Sequence, residues 1–288
     1  MPSSSPAPEL APLIRRARPL LGTFVEIALP ETAATAFEAG FAAIGHIHDR
    51  MSFHAPGSDL SRIHAARACE PVEVDPHTIR VLRTAAILFR ASKGLFDIAV
   101  GRALVRDGFL PKPNNVVRLT DFPGTAADIV LIDDIHLCCQ RRVLIDLGGI
   151  AKGYAVDCAV DALREAGAPY GIVNAGGDLR VFGPVPQTVH IRNGIGDVVA
   201  QILLQDCAIA SSSNLANRRR KSGKAITPHI GAKHQPVLID ETISVMASTC
   251  MIADAMTKVA MTDPDLADTM LAEHDGCVIR DDPSRAAS

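Results

Sequence analysis

The stretch Asp146-Leu147-Gly148-Gly149-Ile150-Ala151-Lys152-Gly153-Tyr154-Ala155-Val156-Asp157 decides how the chain is read. The aliphatic, β-branched run Val143-Leu144-Ile145-Asp146-Leu147 predicts a buried strand. After two glycines, Ala151 to Ala166 reads as a helix, closed by Gly167 at the left-handed position that ends many helices. Strand, glycine turn and helix start in succession aim backbone N–H groups and a positive dipole end at one spot, which suits a phosphate or another anion. Lys152 adds a cation there, and Asp146 stands at the strand's carboxyl end, where it can meet a ligand. A glycine turn with no ligand gives the same local pattern. The stretch is neither G-x-x-x-x-G-K-[ST] nor G-x-G-x-x-G.

A second glycine turn follows closely. Tyr170 to Asn174 predicts a short strand, Ala175-Gly176-Gly177-Asp178 a turn, and Leu179 to Gly183 a second strand. Two close-approach backbone sites, each with an acidic residue, then share one unit, which is more than packing usually requires. Just before the central stretch, Ile129 to Leu137 predicts a strand with Val143 to Leu147 as its hairpin partner.

Elsewhere the pattern mixes helices with antiparallel strands, an α+β reading. Leu20 to Leu29 alternates as the first strand, after a tail over residues 1–16 expected to be disordered. Phe37, Phe41, Ile44, His48 and Met51 recur at helical spacing over 32–51. Ser58 is positioned to cap a short helix, and Asp75 a longer one over about 76–92, with Ile79, Leu82, Ala86 and Phe89 on one face. Residues 106–127 read as a Pro-rich loop. Val189 to Arg192 and Val198 to Leu204 read as paired strands around Gly194-Ile195-Gly196, and Cys207 to Ser211 as another. Arg218-Arg219-Arg220-Lys221 reads as a solvated face. Ile243 to Met246 predicts a strand and Cys250 to Met261 a helix. Asp263-Pro264 opens a last helix, Gly276 to Arg280 forms a strand, and residues 281–288 form a fraying tail.

With 288 residues, 48% of them apolar, the chain has ample material for a core. A net charge of −3 and only 4% aromatic residues give no case for nucleic-acid binding. Seven cysteines, without a C-x-x-C pair, read as buried free thiols in a reducing compartment. No apolar run reaches eighteen residues and no basic n-region or lipobox precedes the first strand, so the expectation is a cytoplasmic protein without membrane insertion. The periplasm is the alternative.

Asp254 sits within the otherwise apolar run Met251 to Met261, where a plain surface carboxylate is unexpected. Diphosphate chemistry needs a cation over the transferring phosphoryl group, commonly Mg²⁺ held by one or two carboxylates, carbonyl oxygens and substrate phosphates. Asp254 and the Gly149 carbonyl fit that demand.

The central stretch and Asn174-Ala175-Gly176-Gly177-Asp178 occur in order with Leu21-Gly22-Thr23-Phe24, Gly94-Leu95-Phe96-Asp97-Ile98-Ala99-Val100-Gly101 and Cys250-Met251-Ile252-Ala253-Asp254-Ala255-Met256-Thr257. Taken together these resemble the FAD:protein FMN transferase (ApbE) family over roughly residues 17 to 280. The resemblance implies a two-lobed α+β fold of the T-fold type, with mixed or antiparallel sheets, flanking helices and the ligand in the cleft. It implies one catalytic domain over 17–280. The implied reaction is Mg²⁺-dependent transfer of FMN from FAD to a Thr or Ser hydroxyl of an acceptor protein, with release of AMP. FAD would be held by Leu21, His54, Leu95, Phe96, Asp97, Asp146, Lys152, Gly176, Gly177, Asp178 and Ile230. Gly149, Asp254 and Thr257 would hold the metal, and His229 would take the acceptor's proton. His54 could equally be a surface loop histidine, and Asp97 a turn cap.

Two departures from the family pattern stand out. The family carries a Thr four residues after the helix Asp, and here that position is Lys258, with Thr257 at three. Thr257 can still ligate, or Lys258 replaces part of the metal's charge. Around His229 the segment Pro228-His229-Ile230-Gly231-Ala232-Lys233-His234-Gln235-Pro236 keeps His-Ile but lacks the family's Asp-Pro and Thr-Gly, and His234 could substitute as base. Hydrolysis of FAD to FMN and AMP, or flavin binding and trafficking without turnover, are the alternative activities.

Overall fold

Two arginine-bearing edge residues explain the first hairpin. In the computed structural model, which describes residues 12–113, 116–194, 196–215, 217–231 and 234–280, β1 (Leu13–Leu20) pairs in antiparallel register with β2 (Thr23–Pro30). Leu21 and Gly22, both at positive φ (56° and 72°), make the turn. Arg16 and Arg18 lay their guanidinium groups over the rings of Phe37 and Phe41, at 4.6 and 4.4 Å. The expected tail therefore ends earlier than residue 16. Residues 13–16 are strand, held by pairing with β2 and not by an apolar stripe, and a charged edge strand is one way to discourage edge-to-edge association. Residues 1–11 and 281–288, expected as tails, lie outside the described residues.

A 3-10 turn over Glu31–Ala36 leads into α1 (Phe37–Met51), and α2 (Asp59–Ala65) follows with the expected Ser58 cap on the Ser61 amide, 3.1 Å. Then come β3 (Val72–Glu73) and α3 (Pro76–Ala91), the latter capped by Asp75 on the His77 amide. Residues 101–107, where no helix was expected and whose last two fell in the expected Pro-rich loop, form a short helix, α4 (Gly101–Asp107), ended by Gly108 at φ 84°.

The hairpin expected between 129–137 and 143–147 closes sooner. β4 (Ile129–Leu131) pairs with β5 (His136–Cys139), because the Asp133 carboxylate accepts the amides of Ile135 and His136 and folds the chain tightly. In Val143 to Leu147 all but the half-buried Asp146 are buried, and the segment joins no sheet among the described residues. Its backbone is satisfied elsewhere: Gly101 N–H donates to the Leu144 carbonyl (3.1 Å), Asp146 N–H to the Ile98 carbonyl (2.9 Å), and Ile145 N–H to His64 Nε2 (2.9 Å).

The central helix α5 (Ala151–Glu165) ends as expected, with Gly167 at φ 86°. There follow β6 (Gly171–Ala175), β7 (Asp178–Phe182), β8 (Gln187–Arg192), β9 (Val198–Leu204), β10 (Ala208–Ser212), β11 (Arg219–Lys221), β12 (Lys224–Ile226), β13 (Ile243–Ala247), α6 (Cys250–Ala260), α7 (Pro264–Leu271) and β14 (Cys277–Arg280).

Seven strands form the main sheet, in the order β1-β2-β6-β7-β10-β13-β14, and each neighbouring pair is antiparallel. The period-2 alternation sorts its residues onto two faces. Val25, Ile27, Leu29, Val173, Ala210 and Val245 face α1, α5 and α6. Ala28, Ile172, Val181 and Ile209 face the β8–β9 hairpin. The small sheet β3-β5-β4 and helices α2 and α3 form a second lobe that shares the first core. The architecture is α+β with antiparallel sheets, as expected. All seven cysteines are free thiols, but only Cys139 and Cys250 are buried and Cys69 and Cys277 are exposed, contrary to expectation. No helix among the described residues is long and apolar enough to cross a membrane.

Candidate functional site

The glycine turn after Leu147 opens onto a cavity of about 790 Å³, within the range of small-molecule pockets. Its apolar wall comes from the end of α1, the loop after it and residues 95–110, with Met51, Phe53, Phe96, Val100, Leu104 and Phe109 among the lining side chains. Its polar end is made by Asp146, Lys152, Ser211 to Ser213, His229 and Lys258. Aliphatic and aromatic surface thus lies beside a charged end.

Helix packing builds the polar end. A side chain at Gly153 would stand 2.2 Å from the Cys250 carbonyl and 2.9 Å from Asp254 Cβ, so only glycine lets α5 lie this close to α6. Across that contact Gly153 N–H donates to Asp254 Oδ2 at 3.2 Å. Asp157, one helical turn on, accepts the amides of Cys250 (2.9 Å) and Met251 (2.8 Å) and a bond from Arg180 (2.8 Å). These partners satisfy the first amides of α6 and fix its start over α5.

Lys152 ion-pairs with Asp178 and stands 3.9 Å from Asp254 Oδ2. Burial works against the charged lysine, but Asp254 and Asp178 outweigh it and raise its pKa. Burial likewise raises the Asp254 carboxyl, and Lys152, Lys258 and the Gly153 amide more than reverse that, leaving it below its ordinary value. Asp178 is pushed up by burial and by the nearby Asp254. Burial holds Asp146 up to about 6, against the Gly148 amide, His54 and Lys258, and its Oδ2 accepts the Gly148 N–H at 3.2 Å.

Lys258 reaches into the heart of this arrangement. Its Nζ donates to Asp254 Oδ1 (3.0 Å), Ser212 Oγ (3.0 Å) and Thr257 Oγ1 (2.8 Å), and stands 3.3 Å from the Asp254 carbonyl. Thr257, fully buried, also donates to the Asp254 carbonyl at 2.7 Å and shares a hydrogen bond with Ser212 at 2.8 Å. A side chain at Gly149 would meet Lys258 Cε at 3.2 Å, so the lysine stem lies along the glycine turn. The three residues expected to ligate a divalent ion, Gly149, Asp254 and Thr257, are thus all engaged with or covered by Lys258. As they stand, they do not fit a Mg²⁺ ion, which takes six ligands at about 2.0–2.1 Å.

His229 belongs to the same polar end. Its backbone carbonyl accepts from Val237 N–H (2.8 Å) and Thr227 Oγ1 (3.1 Å). Burial first, then the charge of Lys258, pull its pKa down to about 3, so the ring is neutral. Its Nδ1 is buried and has no hydrogen-bond partner among the described residues.

The structure brings ten of the expected residues to the pocket wall: Leu21, His54, Leu95, Phe96, Asp97, Asp146, Gly149, Lys152, His229 and Ile230. Asp97 lines it as a turn cap, its Oδ1 on the Ala99 amide (2.7 Å) and its Oδ2 against His234 Nε2 (3.1 Å). That contact holds His234 away from the lining. Asp178, Asp254 and Thr257 sit behind the wall and act through Lys152 and Lys258. Gly176 and Gly177 do not line the pocket, contrary to expectation. They turn β6 into β7 at φ 66° and 104°, and a side chain at Gly176 would strike Thr23 Oγ1 at 2.6 Å. Gly176 is constrained by packing against the first hairpin, and Gly177, with open space around it, by its positive φ. Sequence reasoning missed the Ser211 to Ser213 edge, whose signal was three hydroxyls at a strand end, and the α4 wall, which carried none.

The ApbE family model matches residues 21–279. A curated FAD:protein FMN transferase of Vibrio cholerae is 28% identical over 229 residues, covering 73% of this chain and 68% of that protein. One from Haemophilus influenzae is 28% identical over 242 residues, covering 75% and 69%. Among solved structures, an ApbE protein from Thermotoga maritima superposes with a TM-score of 0.80 at 24% identity, covering 95% of this chain and 98% of that one.

Proposed function

This protein belongs to the ApbE family, and from that premise we propose that it is a flavin transferase which binds FAD in the cavity beside α5. FMN passes from FAD to a Thr or Ser hydroxyl of an acceptor protein, and AMP is released. In this reading the apolar wall holds the flavin and adenine parts, and the diphosphate rests at the polar end, where Lys152 and Lys258 supply positive charge. The observation that carries it is that end itself: two ammonium groups and a neutral histidine line one pocket.

The acceptor hydroxyl oxygen attacks the FMN phosphorus. The bond from that phosphorus to the bridging oxygen breaks, and the bridging oxygen leaves on AMP. His229 takes the hydroxyl proton on its neutral ring, then gives it up to solvent or to the leaving phosphate. The negative charge of a bound diphosphate would lift the basicity of His229, countering the pull of Lys258. Magnesium, implied by family resemblance, finds its expected donors engaged, and no step here runs through it.

The test is incubation of the purified protein with FAD and an acceptor bearing an exposed Thr, with and without Mg²⁺, following AMP and the acceptor's mass. AMP release with gain of one FMN on the acceptor is expected. Free FMN with AMP would make the activity hydrolysis, and intact FAD that stays bound would make it flavin carriage. Either outcome overturns transfer.

A further inference from the structure

Resting on the FAD reading above, we propose that Lys258 takes the place of a divalent cation in this site, so that the chain engages the FAD diphosphate with two fixed ammonium groups and no bound metal. Four oxygens surround Lys258 Nζ: Asp254 Oδ1, the Asp254 carbonyl, Ser212 Oγ and Thr257 Oγ1, at 2.8–3.3 Å. These are hydrogen-bond distances, and an ammonium with three donors fills such a cage with one shared bond.

The residue starts from the right place. Lys258 lies one helical turn after Asp254 and on the same side of α6, so its side chain folds back over the carboxylate it follows. Its stem covers Gly149. Yet the side chain is 20% exposed and lines the pocket, so the charge is presented to a ligand and not sealed in.

Charge supports the same conclusion. Asp254 already has Lys258 at 3.0 Å, Lys152 at 3.9 Å and the Gly153 amide at 3.2 Å. A divalent ion added to that carboxylate would sit against two ammonium groups, and like charges at such range repel strongly in a buried setting. Lys152 and Lys258 together carry the charge of one divalent ion. Lysine supplies it as a tethered point charge, with no dependence on metal concentration.

The proposal is tested by binding. His46, Asp75 and His77 form a separate group close enough to share an ion, so the measurements use a His46→Ala background. FAD affinity is titrated in EDTA and in excess Mg²⁺, and retained Mn²⁺ is measured by electron paramagnetic resonance, with and without FAD. The expected result is FAD affinity that changes by no more than about twofold between the two buffers, with no Mn²⁺ retained. Lys258→Thr should retain Mn²⁺ stoichiometrically and lose about tenfold in FAD affinity in EDTA, regained with Mg²⁺. Stoichiometric Mn²⁺ on the Lys258 protein, removed by Asp254→Asn, would overturn the proposal even if no Lys258 variant folds. So would FAD binding that collapses in EDTA. If FAD binds in neither buffer, the flavin reading fails on its own, and the Mn²⁺ measurement still decides the role of Lys258.

Discussion

Asp157 and Cys250 stand 93 positions apart in the chain, and the carboxylate of one accepts the amide hydrogen of the other at 2.9 Å. The second carboxylate oxygen takes the Met251 amide at 2.8 Å, and Arg180 closes the set. One acidic side chain on α5 therefore caps α6 and anchors a strand of the main sheet. Asp157→Ala strips that cap and leaves Arg180, largely buried at 13% side-chain exposure, without its counter-charge. A stability loss of about 3 kcal/mol is expected, read as a lower urea midpoint at unchanged slope. An unchanged midpoint would show the cap to be dispensable.

Gly153→Ala places a methyl group where the Cys250 carbonyl lies 2.2 Å away. The two helices must part, and overpacking at such a contact costs about 1–3 kcal/mol. Lys152 and Asp254 shift with them. FAD binding, followed by flavin absorbance, should weaken more in this variant than in Gly176→Ala, whose clash with Thr23 lies outside the pocket. Equal losses of affinity would contradict that assignment.

His229→Gln keeps a polar side chain of similar reach and removes the basic nitrogen. AMP release in the presence of acceptor should fall by about 10²–10⁴-fold, while FAD affinity stays within a few-fold. A variant that transfers at the wild-type rate would move the proton to another group, and Asp146, held up to about 6, is the one placed to take it.

Stability should fall as the solution is acidified below neutrality. His64 is 1% exposed, its Nε2 accepts the Ile145 amide, and burial pulls its pKa from 6.5 to about 4. The folded value is below the unfolded one, so the unfolded chain binds the extra proton. The contribution is whole above pH 6.5 and drains away as pH drops toward 4. At pH 5 the loss from His64 alone is about 2 kcal/mol, and His229 adds to it in the same direction. Urea unfolding at pH 7 and pH 5, with His64→Gln as the control lacking this dependence, checks the sign.

What could be read from the chain divides along a physical line. The Ser58, Asp75 and Asp263 caps and the Gly167 terminus obey rules that span only a few residues, and all four stand where expected. So does the β6–β7 hairpin. β1 was hidden because its pairing is backbone-driven and its outward residues are arginines. Val143 to Leu147 was misread because an apolar run shows that a segment is buried but not which groups take its backbone hydrogen bonds, here His64 and residues 98–101. α4 has seven residues, too few for periodicity to register. At the site, the order of the motifs located most of the pocket wall. The substitution at Lys258 was visible, but the four oxygens its nitrogen meets come from three residues on two elements, and only the folded chain assembles them.

The bare α5–α6 contact at Gly153 also sets where two charges stand. Lys152 precedes the touching point by one residue on one helix, and Lys258 follows Asp254 by a turn on the other. A change in the angle between the two helices would alter the spacing between the two cations. The spacing of the pair is thus set by how closely the backbones meet, which a single missing side chain decides.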